Sequence, residues 1–196
     1  VRNTTDLYNL ATYLLSNFCN PISANELAGE LGMSSVATTK KFCDYLNEPY
    51  LFFYLPRFNN KLKLMNKAPK KAYVVDNGFV QSTAFNLSEN LGRLLENQVF
   101  VELLRRGYIP GQTLFYYRTR NDKEIDFVTR KGTKVEQLIQ VCYDMTSEKT
   151  RKRELDALVE AAEELHCDNL HIITNSQEEQ IEWKGTAILE TSIQNF

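Results

Sequence analysis

Glu96, Glu124 and Asp126 are acidic residues whose surroundings give them chemical leverage. The residues one helical turn from Glu96 are Gly92, Val99, Phe100 and Leu103, so a helix here sets a carboxylate on a mainly apolar face. Glu124 and Asp126 lie two apart in a strand-like run and are expected to share one side of a sheet, with Ile125 and Phe127 on the other. Gln140 and Cys142 repeat that spacing in the next strand-like run. A helical acid together with a strand acid can hold a hard divalent cation such as Mg²⁺. Each residue also has a plainer use. Glu96 can be a buried carboxylate bonded to strand backbone, Glu124 and Asp126 can cap a hairpin, and Cys142 can be a small core residue.

These residues need elements to position them. Apolar residues at helical spacing predict a helix over 91–106, closed by Gly107. Strands are expected over 115–119, 124–129 and 137–143, an amphipathic helix over 147–166, and strands over 170–174 and 187–190. The order α-β-β-β-α-β gives a mixed sheet flanked by helices. Ahead of it, Leu7, Leu10, Ala11, Leu14 and Leu15 mark a helix over 6–17. Ser23 caps a short one over 24–31 that ends at Gly32, and Ser34-Ser35 cap a third reaching Leu46. This is a helix-turn-helix arrangement. A hairpin after it, with strands over 50–55, 61–65 and 72–75 and a turn at Asn59-Asn60, reads as the wing of a winged-helix domain. Asp76-Asn77-Gly78 is a turn, and the polar stretch 81–90 separates domains of residues 1–80 and 81–196.

The wing is basic. Arg57, Lys61, Lys63, Lys67, Lys70 and Lys71 occur with no Asp or Glu among them, a density suited to a nucleic-acid backbone, and Lys40 and Lys41 of the third helix are further candidates for the same contact. A solvated hairpin carrying lysines is the plainer alternative. The formal charge of −2 means that any nucleic-acid site is a local patch. Four cysteines without a C-x-x-C pair argue against a zinc site or a disulfide framework and for a reducing cytoplasm. His166 and His171 are isolated, and Trp183 reads as core. No membrane-length apolar run or signal peptide is present. No P-loop or dinucleotide glycine motif occurs, so the chain alone is not expected to hydrolyse ATP. Val1, in place of an initiator methionine and directly before a helical pattern, points to a piece of a longer protein.

The run from Leu94 to Gly107, then Tyr116-Tyr117-Arg118-Thr119 with Lys123-Glu124-Ile125-Asp126-Phe127-Val128, then Leu138-Ile139-Gln140-Val141-Cys142-Tyr143-Asp144, resembles the C-terminal domain of unknown function of bacterial and archaeal AAA-type ATPases. Tyr73-Val74-Val75-Asp76-Asn77-Gly78 resembles the segment that precedes it. The resemblance covers residues 70–175. It implies a missing P-loop domain that binds ATP, then a winged helix, then a PD-(D/E)XK or restriction-endonuclease-like fold, with DNA, the protein's own ATPase domain and an oligomer as partners. It also implies Mg²⁺-dependent phosphodiester cleavage, for which Glu96 and Asp126 match the first two acids. Gln140 stands at the third acid and Cys142 at the lysine, so the resemblance implies a Mg²⁺ site of Glu96, Asp126 and the Gln140 amide oxygen, and the candidate catalytic set Glu96, Asp126, Gln140 and Cys142 is degenerate. A binding module, a Mg²⁺-dependent nuclease and a structural docking or oligomerisation domain remain the three readings of function.

Overall fold

The computed structural model describes residues 3–83, 91–175 and 178–196. Up to Thr83 it forms helices α1 (Thr4–Ser16), α2 (Ala24–Glu30) and α3 (Val36–Asn47), strands β1 (Pro21–Ile22), β2 (Phe52–Pro56) and β3 (Lys70–Val74), a short helix α4 (Leu62–Lys67) between the last two strands, and α5 (Asn77–Thr83) after them. The rest forms α6 (Leu91–Arg105), β4 (Leu114–Arg118), β5 (Glu124–Lys131), β6 (Lys134–Val141), α7 (Glu148–Leu165), β7 (Leu170–Thr174), β8 (Glu179–Trp183) and β9 (Thr186–Ser192). The architecture is mixed α/β, as the element pattern predicts.

The helix ends follow their chemistry. Ser23 and Glu26 form a reciprocal capping box at the start of α2, and Ser35 accepts from the Thr38 N–H at the start of α3. The segment expected as a strand over 61–65 is instead helical. Its leucines alternate as in a strand, but Leu, Lys and Met are strong helix formers, and β2 pairs directly with β3 from Phe52↔Val74 to Pro56↔Lys70 without it. Of the expected turn Asp76-Asn77-Gly78, Asn77 and Gly78 begin α5, the Gly78 N–H donating at 2.6 Å to Asp76 Oδ1 just ahead of the helix. Part of the polar stretch 81–90 lies outside the described residues, and its start belongs to α5.

A three-stranded sheet of order β1-β3-β2 and a six-stranded sheet of order β4-β5-β6-β7-β9-β8 result. The larger sheet is antiparallel from β4 to β6, parallel from β6 through β7 to β9, and antiparallel again at β8. Leu155 and Leu158 of α7 share one core with Phe115, Val128, Leu138 and Ile172. The other core joins both sheets. Leu10, Phe18 and Phe52 belong to the same buried cluster as Phe100 of α6 and Phe127, Ile139 and Ile173 of the larger sheet. Tyr73 of β3 stacks on Phe100 with ring centroids 4.1 Å apart.

Two further contacts fasten the seam. The Phe58 N–H donates to the Tyr116 carbonyl at 2.6 Å, so the chain leaving β2 covers the outer edge of β4. Asn97, fully buried in α6, accepts from the Val74 N–H at 2.8 Å and donates to the Val74 carbonyl at 2.9 Å. A helix side chain thus supplies the hydrogen bonds that a neighbouring strand would have given β3.

Candidate functional site

The acids gather where the two sheets meet, around a cation from β3. Lys71 Nζ lies 2.9 Å from Glu96 Oε1, 2.7 Å from Glu124 Oε1 and 2.9 Å from Asp126 Oδ1. An ammonium has three N–H donors, so this arrangement can use all of them. The Lys71 side chain is 1% exposed. Its stem is carried inward by β3, which is buried from Lys71 through Val74. Tyr73, two residues on and so on the same face of the strand, donates its hydroxyl to Glu96 Oε1 at 2.6 Å. Glu124 is also held by Arg118, at 3.1 Å.

Asp126 and Gln140 have a second role. The β5–β6 ladder runs from Lys131↔Lys134 to Phe127↔Ile139. Beyond it, Asp126 Oδ2 accepts from the Val141 N–H at 3.0 Å and Gln140 Oε1 accepts from the Asp126 N–H at 3.3 Å. These side chains replace ladder bonds where the strands part. The Gln140 amide N–H then donates to buried Glu154 at 2.7 Å, and Glu154 is paired with Arg153. Phe127, expected opposite Asp126, packs with Tyr73 and Phe100 on the acid side, while Ile125 lies in the α7 core as alternation requires.

Burial disfavours the charged form of Lys71, but the charges of Asp126, Glu96 and Glu124 outweigh it and hold the ammonium well above an ordinary lysine. Burial, with the Asp126 charge beside it, pushes Glu96 up to about 7 even though Lys71 and Tyr73 pull the other way. The three carboxylates also outnumber the one ammonium set between them. The sign for stability follows from linkage. A carboxyl raised in the folded state contributes fully below its ordinary pKa of about 4.5, and that contribution is lost as pH rises through about 7. Glu96→Gln should thus gain on the wild type between those values, by at most about 3 kcal/mol, in paired denaturant melts across pH. A difference that does not change with pH would show that Glu96 is an ordinary carboxylate.

As a divalent-metal set, Glu96, Asp126 and Gln140 do not fit in this arrangement. Glu96 and Asp126 converge on the Lys71 ammonium, and the Gln140 oxygen faces backbone. Among the described residues, no group of three or more His, Cys, Asp or Glu is arranged to hold a metal ion. Cys142 is buried, its thiol directed at the Asp144 carbonyl at 3.3 Å and pushed up to about 11 by burial and then by Glu154, so it takes no part in the cation cluster. The expected phosphate contacts divide. Lys40, Lys41, Lys61, Lys63, Lys67 and Lys70 are exposed. Arg57 is half-buried and donates to the Arg118 carbonyl at 2.9 Å. Lys71 is corrected outright, because a buried ammonium saturated by carboxylates cannot meet a phosphate. Sequence reasoning also missed Tyr73, Asn97 and Glu154, polar groups within strongly apolar or helical runs. An open cavity of about 690 Å³ borders Tyr143, Asp144, Arg151 and Glu190, and none of the candidate residues lines it.

Residues 91–192 match the family described as a domain of unknown function, DUF4143. The chain belongs to that family. Residues 1–90 match a second domain of unknown function, DUF8612. An uncharacterized protein of Methanocaldococcus jannaschii, MJ1544, is 35% identical over 184 residues, covering 91% of this chain and 40% of that protein. An uncharacterized protein of Haemophilus influenzae is 31% identical over 149 residues, covering 74% of this chain and 36% of that protein. This DUF4143 chain thus spans about two fifths or less of the length of those relatives. A solved assembly of Thermococcus gammatolerans McrB AAA+ hexamers with bound McrC is similar at a TM-score of 0.35 and 11% identity, covering 95% of this chain and 70% of that one, too weak a likeness to carry an argument. Among the described residues, no helix is long and apolar enough to cross a membrane.

Proposed function

We propose that this chain is the recognition end of a larger AAA-type ATPase, with a winged-helix-like unit that engages a nucleic-acid backbone and a nuclease-like unit that serves as its scaffold rather than as an enzyme. The observation that carries this reading is the outward display of Lys61, Lys63, Lys67 and Lys70 on and beside α4, in a stretch without a single acid, while the neighbouring Lys71 is turned inward. Such a row neutralises phosphates without reading bases. The sequence resemblance to AAA-type ATPases, and relatives more than twice as long as this chain, support the wider context.

Changing Lys61, Lys63, Lys67 and Lys70 together to alanine should weaken duplex binding by on the order of tenfold to a hundredfold at low salt and reduce the slope of log K against log salt by about 3 to 4, in fluorescence anisotropy titrations. Unchanged affinity and slope would move the contact elsewhere, with Lys40 and Lys41 next in line. No Mg²⁺-dependent nicking of plasmid is expected, and nicking that EDTA stops would restore the nuclease reading.

A second reading rests on Leu62 and Leu64, which stand 64% and 49% exposed among those lysines. Apolar side chains on a basic helix suit a protein surface, and α4 would then dock on the ATPase domain or on a second copy. In that case changing both leucines to alanine, rather than the lysines, abolishes the association in sedimentation.

A further inference from the structure

We propose that Lys71 is the resident cation of the acid cluster, standing where a divalent metal would otherwise sit, and that the chain as it exists is therefore closed to metal at this site. The inference rests on reading the larger sheet as a non-catalytic scaffold, and it says what makes that scaffold complete. Three carboxylate oxygens, from Glu96 on α6 and from Glu124 and Asp126 on β5, point at one centre at 2.7 to 2.9 Å. Convergence of this kind is what a cation demands, and Lys71 Nζ occupies the centre.

The lysine is built into that position rather than resting in it. β3 carries it in from a different sheet, with Leu55 opposite it on β2. The Tyr116 ring lies 5.8 Å from Nζ, and its hydroxyl donates at 2.7 Å to the carbonyl of Pro69, two residues before the lysine. Tyr73 holds Glu96 toward the same centre. An ammonium brings one positive charge where a metal would bring two, so three carboxylates converge on a single positive charge. Gln140 fits the same picture. With no metal to coordinate, its amide oxygen serves the Asp126 backbone, and its N–H group serves Glu154.

Removing the ammonium while keeping the acids should uncover a divalent-cation site. Oxygens now 2.7 to 2.9 Å from the centre need to close less to reach the 2.3 to 2.6 Å of Ca²⁺ than the roughly 2.1 Å of Mg²⁺, so larger cations are favoured. The test is thermal melting of the full chain over a range of MnCl₂, CaCl₂ and MgCl₂ concentrations, with the Mn²⁺ isotherm followed by electron paramagnetic resonance. Wild type should keep its melting temperature and leave Mn²⁺ free. Lys71→Ala should start lower and regain on the order of 5 °C at about a hundredfold excess of Ca²⁺ or Mn²⁺ over its dissociation constant, with less response to Mg²⁺. Adding Asp126→Asn to Lys71→Ala should abolish the gain.

A folded Lys71→Ala variant indifferent to all three ions overturns the proposal. So does wild-type chain that binds Mn²⁺ stoichiometrically and loses that binding on Glu96→Gln, a measurement that stands even if Lys71→Ala does not fold. Duplex binding by the α4 lysines is independent of both results, so failure here leaves the recognition reading standing, and failure there leaves this one.

Discussion

Lys71→Met should destabilise the protein by about 3 to 5 kcal/mol, the cost of removing one partner from a buried ion cluster and leaving the others unpaired. Methionine fills the volume of the lysine stem, so packing is nearly conserved and the change isolates the charge. Three carboxylates then face each other without the ammonium that each now contacts at 2.9 Å or less. Protonation of Glu96, already pushed up to about 7, relieves part of the repulsion, so the loss should be smaller at pH 5 than at pH 8. In a chain of this size the melting temperature should fall by on the order of 10 °C. Lys70→Met, one residue away and exposed, should change stability by no more than about 0.5 kcal/mol. Combining Lys71→Met with Glu96→Gln and Asp126→Asn should recover much of the loss, because neutral amides in the cluster no longer repel. A loss below about 1 kcal/mol for Lys71→Met alone would mean that the acids are held apart by their own hydrogen bonds.

The acids of this site were legible in the sequence because periodicity tells which residues share a face. Glu96 sat among Val99, Phe100 and Leu103 at helical spacing, and Glu124 and Asp126 were two apart in a strand. Both inferences concern neighbours along the chain, and the structure brings all three acids to one centre. Lys71 was not legible for the opposite reason. It follows Lys70 at the start of an apolar run, and nothing local says which of two adjacent lysines turns inward. That choice is made by carboxylates 25 and 55 residues away. The basic stretch is legible only as composition, which counts charges without regard to where they point.

Secondary structure failed where two local signals competed. Leu62 and Leu64 alternate with lysines as strand residues do, yet the segment consists of helix formers, and β3 pairs with β2 instead of with it. Strand β8, with Ile181 its buried residue, carries too little apolar pattern to announce itself and exists because β9 offers it an antiparallel partner. Asn97 reads as one more polar residue on a helix. Its function, bonding the edge of β3, depends on a strand that passes beside α6 only in the folded chain.

Phe100→Ala should cost about 3 to 5 kcal/mol and test whether the two sheets melt as one body. Phe100 is fully buried at their junction, stacked on Tyr73 at 4.1 Å, with Phe53 at 5.7 Å and Phe127 at 6.3 Å. It therefore touches an aromatic from each of β2, β3 and β5, and alanine leaves a cavity with walls in both sheets. Those walls cannot close without moving β3, and β3 carries Lys71 and Tyr73 into the acid cluster. The loss should consequently couple to the cluster. Phe100→Ala with Lys71→Met should fall short of the sum of the two single losses, since each partly undoes the same seam. Leu62→Ala, on exposed α4, is the control and should shift stability by no more than about 0.5 kcal/mol. In calorimetry the wild type should show one transition whose calorimetric and van't Hoff enthalpies agree, because a single core runs through both sheets. Two separate transitions in the wild type, or strict additivity of the two losses, would show that the helical unit and the larger sheet fold independently and that Lys71 clasps bodies already formed.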